Sequence, residues 1–594
     1  MIRILRRAFG LLDGRERMRW LVQAPLACLG ALVEAFGALA VFGLLRMVVA
    51  PDAIATTPVV GAVTRLWPGA SPSTLLALLA AGVAVFYLAR AAFLIGVEWL
   101  KEGAIAHTAT GLARRLFRRY LHADYQYHLR RRPADLVTDV QRSSEKVAQL
   151  VLGSMINLLA ELSTALALLA VLVTVAPLAT LTAVVILLVL VAVPARLTRR
   201  VWLTWGERER EDDAALLEVL QQSLGGIKPM IVAGRQAYFE RRFGRVLERL
   251  AARRRRRATL ATALRLGLET ALLLALVGIV LLITVGPAPG PEAVSVLALF
   301  GYAGFRMVPS ANRVLLNSNH VREGGVFVDR LGRGYAALPE SAAISSVLDQ
   351  PPLPFARTLA AEDVSFAYDG EGRPALAQVR VTIHRGESIG IVGQTGAGKS
   401  TLVDLLIGLL PPASGRILVD GEDLGGRERA WQRQVGYVPQ EPYLLNDTLR
   451  RNVAFGLEDD EIDEGRLARA ARLARLDEVV AELPAGFDTW LGERGSRLSG
   501  GQRQRVAIAR ALYLDPPVLV FDEATAALDA VTEREVTLAI ATLQGTRTIL
   551  VIAHRLSTVR GCDRLIFLRA GAVAGIGTFD ELRADPAFEA LTGL

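Results

Sequence analysis

Residues Gly393 to Ser400 have the composition and spacing of a phosphate-binding loop. They read Gly-Gln-Thr-Gly-Ala-Gly-Lys-Ser, so glycines precede an adjacent lysine and serine. Glycines let backbone N–H groups curl around a phosphate, the lysine reaches the outer phosphates, and the serine hydroxyl binds Mg²⁺. The apolar run Ile389–Val392 predicts a buried strand before the loop, and Thr401–Leu410 predicts a helix after it. The pattern alone also fits a glycine-rich turn, so the rest of the chain must decide.

Two carboxylates follow a second apolar strand farther along the chain. The strand Val518–Phe521 leads into Asp522 and Glu523. The first carboxylate suits Mg²⁺, and the second suits activation of the water that attacks a terminal phosphate. Leu498-Ser-Gly-Gly-Gln502 precedes a helical run and predicts a second helix N-terminus that accepts anions.

Three more side chains could complete a nucleotide site. Gln440 and His554 each follow a short apolar strand, and Tyr368 precedes the phosphate loop with a ring that can stack on adenine. A lone residue of these types is more often structural. In an open α/β sheet, however, the strand ends meet at one edge, beside the phosphate loop.

The composition indicates a membrane protein with more than one domain. The 594 residues are 52% hydrophobic and 21% charged, and the mean hydropathy is +0.35. The formal net charge of +9 could indicate nucleic-acid binding, but the basic residues flank hydrophobic spans, as membrane topology requires. The two cysteines, Cys28 and Cys562, form neither a disulfide framework nor a metal-binding spacing.

The first half contains hydrophobic stretches of about 20 residues or more, the length that crosses a bilayer. The first begins at Trp20 and is too long for a signal peptide, so it is interpreted as a transmembrane helix. The six predicted spans are 20–50, 74–100, 147–174, 177–198, 260–286 and 292–316.

Positive charge orients these spans. Segment 101–146 contains seven arginines between Arg114 and Arg132, and segment 199–257 ends in the run Arg253–Arg257, whereas segment 51–73 contains one. Basic loops lie on the cytoplasmic side, so both termini and the phosphate loop are predicted to be cytoplasmic. Both basic segments are predicted to continue the membrane helices into the cytosol, each pair joined by a crosswise segment, at 122–128 and 225–230.

Several charged residues fall inside the predicted spans, where each costs roughly 2.5–3.5 kcal/mol on insertion scales. They are Glu34, Arg90, Glu98, Glu161, Arg265, Glu269, Arg306 and Arg313. One interpretation is a set of ion pairs between helices or side chains that extend to the interface. The other is a basic cavity for an anionic substrate, because guanidinium groups bind phosphates in a bidentate manner.

A change of composition separates the two halves. The predicted domains are a transmembrane domain at 1–330, a linker at 331–357 that includes Pro351-Pro-Leu-Pro354, and an α/β domain at 358–594.

Together these motifs resemble the ATP-binding cassette (ABC) family over nearly the whole chain. The resemblance implies an all-α six-helix transmembrane domain of the type I exporter fold, followed by an α/β P-loop NTPase domain. It implies that ATP and Mg²⁺ are the cofactors, that Glu523 and His554 are catalytic, and that Mg²⁺ is held at Ser400, Gln440 and Asp522. The ATP-binding residues it implies are Tyr368, Gly393, Gln394, Thr395, Gly396, Ala397, Gly398, Lys399, Ser400, Thr401, Gln440, Leu498, Ser499, Gly500, Gly501, Gln502 and Asp529.

One position departs from the family pattern. Ala526 stands where the usual Ser-Ala-Leu-Asp begins with serine, and the sequence continues to Asp529. The carboxylates are intact, so hydrolysis is expected to survive this change.

Six spans before one cassette resemble a half-transporter of the exporter type. In that family ATP lies between the phosphate loop of one cassette and the signature Leu498–Gln502 of the other. One chain supplies each element once, so the resemblance implies two copies, and a homodimer is the simplest expectation. Closure of the cassettes is expected to reach the membrane helices through the crosswise segments near Tyr125 and Ile227.

The membrane half resembles the bacterial flippases of lipid-linked oligosaccharides. The resemblance rests on Arg306-Met-Val-Pro-Ser-Ala-Asn-Arg313 and on the local contexts of Arg90 and Arg265. It implies that Arg90, Arg265 and Arg306 bind the pyrophosphate of a polyprenyl-linked glycan. The expected function is ATP-driven flipping of that lipid across the bacterial cytoplasmic (inner) membrane.

Other functions remain open to different degrees. A multidrug or lipid exporter of the same fold would have a hydrophobic cavity that favours uncharged or cationic drugs. The arginines in the spans argue against such a cavity. A regulatory channel on the same scaffold would tolerate a degenerate catalytic carboxylate, and Glu523 argues against it. A cassette that acts on nucleic acid would lack membrane spans. A peptide exporter would need an N-terminal protease domain, and the segment before Trp20 is too short to form one.

Overall fold

The computed structural model describes most of the chain. The described ranges are 1–49, 72–175, 211–285, 291–338, 351–368, 374–524, 530–553 and 556–592, with isolated positions between 181 and 208. The chain forms two compact units. The first comprises residues 1–123 and 131–339, and the second comprises 124–130 and 340–594.

Up to residue 338, all described secondary structure is helical. In chain order the helices are α1 (Ile2–Gly10), α2 (Gly14–Val49), α3 (Pro72–Leu121), α4 (Tyr125–Leu129), α5 (Pro133–Thr138), α6 (Ser144–Lys146), α7 (Ser154–Val175), α8 (Ile227–Val232), α9 (Gln236–Val285) and α10 (Pro291–Ala336). Two π-helical segments, Asp139–Ser143 and Val147–Gly153, join α5, α6 and α7. Residues 211–225 are also helical.

Five of the predicted spans fall on these helices. Spans 20–50, 74–100, 260–286 and 292–316 lie on α2, α3, α9 and α10, apart from residues 50 and 286, which are outside the described ranges. Span 147–174 covers the second π-helical segment and α7. Span 177–198 lies almost entirely outside the described residues. Within the described part, three helical stretches have the length and apolar composition to cross a membrane: Gly14–Val41, Leu76–Leu121 and Pro133–Ala170.

Helices α3 and α9 are much longer than a bilayer requires. Each contains 50 residues, which corresponds to about 75 Å at the α-helical rise, against roughly 30 Å of hydrocarbon. Their arginine-rich ends therefore extend into water, as the sequence predicts. Short helices, α4 and α8, lie where the crosswise segments are predicted, and they begin slightly later than those segments, at Tyr125 and Ile227.

The last long helix continues through residue 330, the predicted end of the membrane domain, to Ala336. Buried contacts explain the extension. Val328 and Leu331 are almost fully buried, and the Arg330 guanidinium pairs with Asp135 and Asp139. The first residues of the predicted linker 331–357 are therefore helical.

The second unit contains two sheets. The strands are β1 (Thr358–Phe366), β2 (Leu376–His384), β3 (Ser388–Gly393), β4 (Ser414–Val419), β5 (Glu422–Asp423), β6 (Val435–Val438), β7 (Val518–Asp522), β8 (Thr548–Ile552), β9 (Arg564–Arg569) and β10 (Ala572–Gly577). The antiparallel sheet has the order β2-β1-β4-β5, and the larger sheet has the order β10-β9-β3-β8-β7-β6. In the larger sheet β9, β3, β8, β7 and β6 pair in parallel.

Helices of the second unit connect and cover these strands. They are α11 (Lys399–Leu406), α12 (Glu428–Gln432), α13 (Leu449–Val453), α14 (Glu464–Leu473), α15 (Asp477–Glu482), α16 (Gly500–Tyr513), α17 (Ala530–Leu543), α18 (Leu556–Val559), α19 (Phe579–Leu582) and α20 (Pro586–Thr592). Helix α11 ends earlier than the predicted Leu410, because Gly408 adopts a positive φ of 69° and the Leu409 N–H turns back to the Asp404 carbonyl oxygen.

Candidate functional site

The carboxyl ends of four parallel strands bring the predicted catalytic residues to one edge of the larger sheet. Strand β3 leads into the phosphate loop, β7 ends at Asp522, and Gln440 lies two residues beyond β6. Strand β8 lies between β3 and β7. Because the strands are parallel, these ends meet, which is where open α/β sheets bind ligands.

The phosphate loop is shaped by glycines that no other residue can replace. At Gly393 a Cβ atom would lie 2.3 Å from the carbonyl oxygen of Leu568, and at Gly398 it would lie 2.7 Å from that of Ala375. Gly398 also has a φ of +96° and precedes α11. Both positions therefore require glycine, and the backbone can follow the path that a phosphate needs.

The N-terminus of α11 is available for an anion. Gly398 provides no side chain to cap the first N–H groups of the helix. The Lys399 ammonium folds back across the loop and donates to the carbonyl oxygens of Gly393 at 2.9 Å and Gln394 at 3.1 Å. Burial lowers the pKa of Lys399, while the Glu523 and Asp522 carboxylates oppose that shift. These donors fit the phosphates of a nucleotide.

Each of the two predicted carboxylates accepts a hydrogen bond from a side chain of β6 or of the residues after it. Asp522 Oδ2 accepts from the Tyr437 hydroxyl at 2.9 Å, and Glu523 Oε2 accepts from Gln440 Nε2 at 2.7 Å. Glu523 also has a positive φ of 47°, a conformation that non-glycine residues adopt only under strain.

The residues present fit Mg²⁺–ATP. The Ser400 hydroxyl, the Gln440 amide oxygen and the Asp522 carboxylate are hard oxygen ligands of the type that Mg²⁺ prefers. When bound, Mg²⁺–ATP supplies the phosphoryl group to be transferred and the positive charge that offsets it. The loop would hold the phosphates, the Asp522 carboxylate would be a ligand of the metal, and the Glu523 carboxylate could take a proton from water.

The predicted adenine-stacking residue lies beside the phosphate loop. The Tyr368 hydroxyl and the Thr401 hydroxyl are 3.2 Å apart, within hydrogen-bonding distance. The Tyr368 ring is half-buried and meets Phe366 edge-on with centroids 5.0 Å apart. Thr401, which is predicted to bind ATP, is buried and is paired with this tyrosine. It can therefore also act indirectly, by placing the ring.

The signature segment begins helix α16 with a capping box. Ser499 Oγ accepts from the Gln502 N–H at 3.2 Å, and Gln502 Oε1 accepts from the Ser499 N–H at 2.9 Å. Reciprocal bonds of this kind fix the helix start. Gly500 has open space around it, because a Cβ there would meet no atom within 4 Å. Leu498 is buried and anchors the segment.

Two predicted site residues cannot be placed. His554 and Asp529 both lie outside the described residues, as does the family departure at Ala526. The last residue of β8, Ile552, accepts a hydrogen bond through its carbonyl oxygen from the Glu523 N–H at 3.0 Å.

Sequence reasoning missed Tyr437 and Asp404. Asp404 lies on α11, and burial together with the Asp522 carboxylate raises its pKa from 3.8 to about 6. Tyr125 of the crosswise helix α4 interacts electrostatically with Asp404 and Tyr368, and burial raises the pKa of Tyr125. The apolar alternation of β6 hid Tyr437 among core residues, although its place three residues before Gln440 could have indicated it.

Arg90 is paired within the helices of the first unit. Its guanidinium lies 2.8 Å from Glu34 Oε1 and stacks over the Tyr87 ring at 5.3 Å. Both ionic side chains are largely buried. This pair matches the interpretation of ion pairs between helices.

Arg265 lies beside a cavity between α9 and α10. The cavity has a volume of about 180 Å³ and is lined by Thr262, Arg265, Asn312 and Asn319, with leucines between them. Arg265 Nε lies 3.6 Å from Glu269 Oε1, and about half of each side chain is exposed. The guanidinium is thus loosely paired, and its side chain is about half exposed.

Arg306 and Arg313 both lie on α10. The side chain of Arg306 is outside the described atoms. Arg313 pairs with Glu161 on α7. Lys101 donates to Glu98 and to Asn157, so a second polar contact joins α3 to α7.

Comparison with known proteins agrees with both units. Residues 376–526 match the family described as ABC transporter, and residues 41–287 match the ABC transporter transmembrane region. An ATP-dependent lipid A-core flippase from Ralstonia nicotianae is 36% identical over 482 residues, which cover 79% of each chain. A flippase of the same name from Hahella chejuensis is 44% identical over 232 residues, 39% of this chain and 40% of that protein.

A solved structure extends the likeness to the whole fold. The structure of a bacterial Atm1-family ABC exporter with ATP bound superposes with a TM-score of 0.81 and 27% identity, covering 98% of this chain and 99% of that one. The fold shared with this exporter therefore accounts for the helical transmembrane domain, the α/β cassette and the residues at the strand ends. The chain belongs to the ABC transporter family and is a multi-pass membrane exporter whose ATPase is coupled to substrate translocation.

Proposed function

We propose that two copies of this chain flip a polyprenyl-pyrophosphate-linked oligosaccharide across the bacterial cytoplasmic membrane. Both termini and both cassettes would lie in the cytoplasm, where ATP is available. The cargo is an anionic lipid with a glycan head, and Arg265 is the observation that carries this proposal. Its side chain is half exposed at a cavity of about 180 Å³ that polar and apolar side chains both line.

The surroundings of Arg265 suit a pyrophosphate and its first sugar. Guanidinium groups bind phosphate oxygens through two parallel hydrogen bonds. The Asn312 amide and the Thr262 hydroxyl line the same cavity and can bind sugar hydroxyls or phosphate oxygens. Among the described residues, Glu269 is the acidic partner of this guanidinium, and the two groups are 3.6 Å apart, so little pairing energy opposes a phosphate.

Arg90 and Arg306 enter the proposal in different ways. Arg90 is bound to Glu34, so a substrate phosphate would have to replace that carboxylate. Arg306 is assigned from the resemblance of its sequence to the flippases, and it lies on the same helix as Asn312. We propose that Arg265 makes the first contact and that Arg90 and Arg306 follow.

A second candidate cargo is lipid A-core, which the names of the relatives from Ralstonia nicotianae and Hahella chejuensis state for those proteins. It shares with the first candidate an apolar anchor, phosphate groups and a glycan. Exposed arginine at the cavity suits both lipids and opposes cationic drugs. The two lipids differ in the anchor and in how phosphate is joined to it, so a transport assay can separate them.

The homodimer is part of the proposal because each ATP site needs two elements that one chain supplies once. We propose that Gly393–Ser400 of one copy faces Leu498–Gln502 of the other, with Mg²⁺ held at Ser400, Gln440 and Asp522. His554 would contact the γ-phosphate, and Asp529 would lie at the contact between cassettes. In this scheme residues 1–330 form the transmembrane domain and residues 358–594 form the cassette.

Reconstitution in liposomes tests the cargo. Purified protein is placed in vesicles that contain one fluorescent lipid, and the fraction whose head group crosses the bilayer is measured with and without ATP. Three arms use a polyprenyl-pyrophosphate oligosaccharide, lipid A-core and a neutral lipid of similar anchor. Selective flipping of the first arm supports the proposal, selective flipping of the second favours lipid A-core, and equal flipping of all three contradicts an arginine-based site.

A further inference from the structure

Tyr437 is a polar residue at the ATP site that the function described above does not use. It lies in β6, next to β7. Its hydroxyl donates to Asp522 Oδ2 at 2.9 Å. The register explains the contact. Tyr437 pairs with Val520, and Asp522 lies two residues farther along the same strand, so both side chains project from the same face of the sheet.

The hydrogen bond constrains the orientation of the Asp522 carboxylate. The terminal torsion of an aspartate is broad, so an unheld carboxylate samples many planes. A hydroxyl that donates to Oδ2 fixes the plane and occupies one oxygen. A charge-assisted bond of this type is stronger than one between neutral groups.

No cation performs this task among the contacts described. The Lys399 ammonium donates to the carbonyl oxygens of Gly393 and Gln394 instead. Asp404 is a second carboxylate that acts on both Asp522 and Tyr437, and it repels negative charge at Asp522. The tyrosine hydroxyl is therefore the donor that holds Asp522 in place beside a like charge.

We propose that Tyr437 is a positioning residue that orients Asp522 for the divalent metal of the bound nucleotide. It acts through Asp522 and touches neither nucleotide nor metal. Its loss is expected to weaken the metal's contribution to nucleotide binding and to leave metal-free nucleotide binding intact. The proposal is independent of which lipid is transported.

The experiment measures binding, with no turnover, on the full-length protein. The dissociation constant of AMP-PNP is measured in EDTA and again in Mn²⁺, and the ratio gives the coupling between metal and nucleotide. The test variant is Tyr437→Phe, which keeps the ring. The matched control is Tyr443→Phe, whose side chain is 62% exposed. Electron paramagnetic resonance of the bound Mn²⁺ reports the ligand environment directly.

The coupling ratio of Tyr437→Phe is expected to fall roughly threefold to tenfold, the effect of one net hydrogen bond to a charged group at a partly exposed site. Affinity in EDTA should stay within about twofold of wild type, and the control should be unchanged. An unaltered ratio and Mn²⁺ spectrum would overturn the proposal. So would an equal loss of affinity in EDTA and in Mn²⁺, because that pattern indicates a structural role for the ring.

Discussion

Gln440 donates a hydrogen bond from its amide nitrogen Nε2 to Oε2 of Glu523 across 2.7 Å. The contact joins Gln440, two residues beyond β6, to the residue that directly follows β7. It holds the predicted general base at the edge of the sheet, where Glu523 already has a positive φ. The amide oxygen of Gln440 is the atom left to face a metal, so one side chain can serve both the base and the ion.

Replacement of Glu523 by glutamine should abolish turnover and spare nucleotide binding. The amide cannot take a proton from water, and general-base catalysis contributes roughly a hundredfold to ten-thousandfold. We expect the ATPase kcat to fall by at least about a hundredfold. The affinity for ATP, measured by equilibrium binding, should change little. Glu422→Gln, on the exposed strand β5, is the control. Undiminished ATPase activity in Glu523→Gln would remove Glu523 from the catalytic role.

The two ATP sites should complement each other between copies. Lys399→Ala removes the phosphate contact, and Gly500→Asp adds a negative charge to the signature at a position with open space around it. Each homodimer then has a lesion in both sites. A dimer that contains one copy of each variant has both lesions in one site and none in the other.

Co-expression with two affinity tags isolates that mixed dimer. We expect measurable ATPase activity in the mixed dimer, up to about half that of wild type, and background activity in both parent homodimers. A mixed dimer as inactive as its parents would contradict a site shared between copies, provided that a dimer of two wild-type copies carrying the same tags is active.

Asp404 should destabilise the cassette at neutral pH. Burial and the Asp522 carboxylate raise its pKa from 3.8 to about 6, so the folded state disfavours the ionised form. The penalty is absent below the unfolded pKa, grows as pH rises, and is complete above the folded pKa of about 6. Asp404→Asn should therefore stabilise the protein at pH 7.5 by about 1–2 kcal/mol, after allowance for partial exposure.

Thermal unfolding in EDTA without nucleotide measures this effect. The unfolding temperature of Asp404→Asn should exceed that of wild type by a few degrees at pH 7.5, and the gap should narrow at pH 5. Asp460→Asn, on the exposed surface, should show no such pH dependence. A gap of the same size at both pH values would exclude titration of Asp404 as the cause.

Arg265 should be required for flipping and dispensable for basal ATP hydrolysis. Arg265→Ala removes the exposed guanidinium from the cavity, and we expect the rate of lipid flipping to fall about tenfold or more, the loss of one charge-assisted contact to phosphate. Arg265→Lys should retain part of the activity, because an ammonium binds phosphate as a point charge. Arg256→Ala, on an exposed position of the same helix, is the control. Normal flipping by Arg265→Ala would contradict a role in substrate binding and would leave Arg265 a structural role, as the ion-pair partner of Glu269.

The sequence predicted correctly which described residues meet at one edge of the larger sheet, because parallel pairing brings the carboxyl ends of the strands to the same edge. An apolar run followed by a glycine loop, or by two carboxylates, predicts functional residues at the end of a strand. Strands β3 and β7 begin and end within one residue of the predicted runs. Parallel pairing then brings the strand ends together wherever the strands lie in the chain. The local pattern was sufficient for this part of the site.

Contacts between distant elements could not be predicted in the same way. Arg90 and Glu34 are 56 residues apart, and their pairing depends on how α2 and α3 rotate against each other. Tyr437 and Asp522 are 85 residues apart and meet because of the strand register. The π-helical segments before α7 and the extension of α10 to Ala336 likewise follow from packing, which no short sequence window contains.

The proposed cargo is tested most directly by ATP-dependent flipping of a labelled polyprenyl-pyrophosphate oligosaccharide in liposomes that contain only this protein. We expect the glycan to become accessible on the opposite face with Mg²⁺–ATP, and we expect Glu523→Gln to prevent this and Arg265→Ala to slow it about tenfold or more. Vesicles in which the protein hydrolyses ATP but leaves the labelled lipid where it was would contradict the proposed cargo.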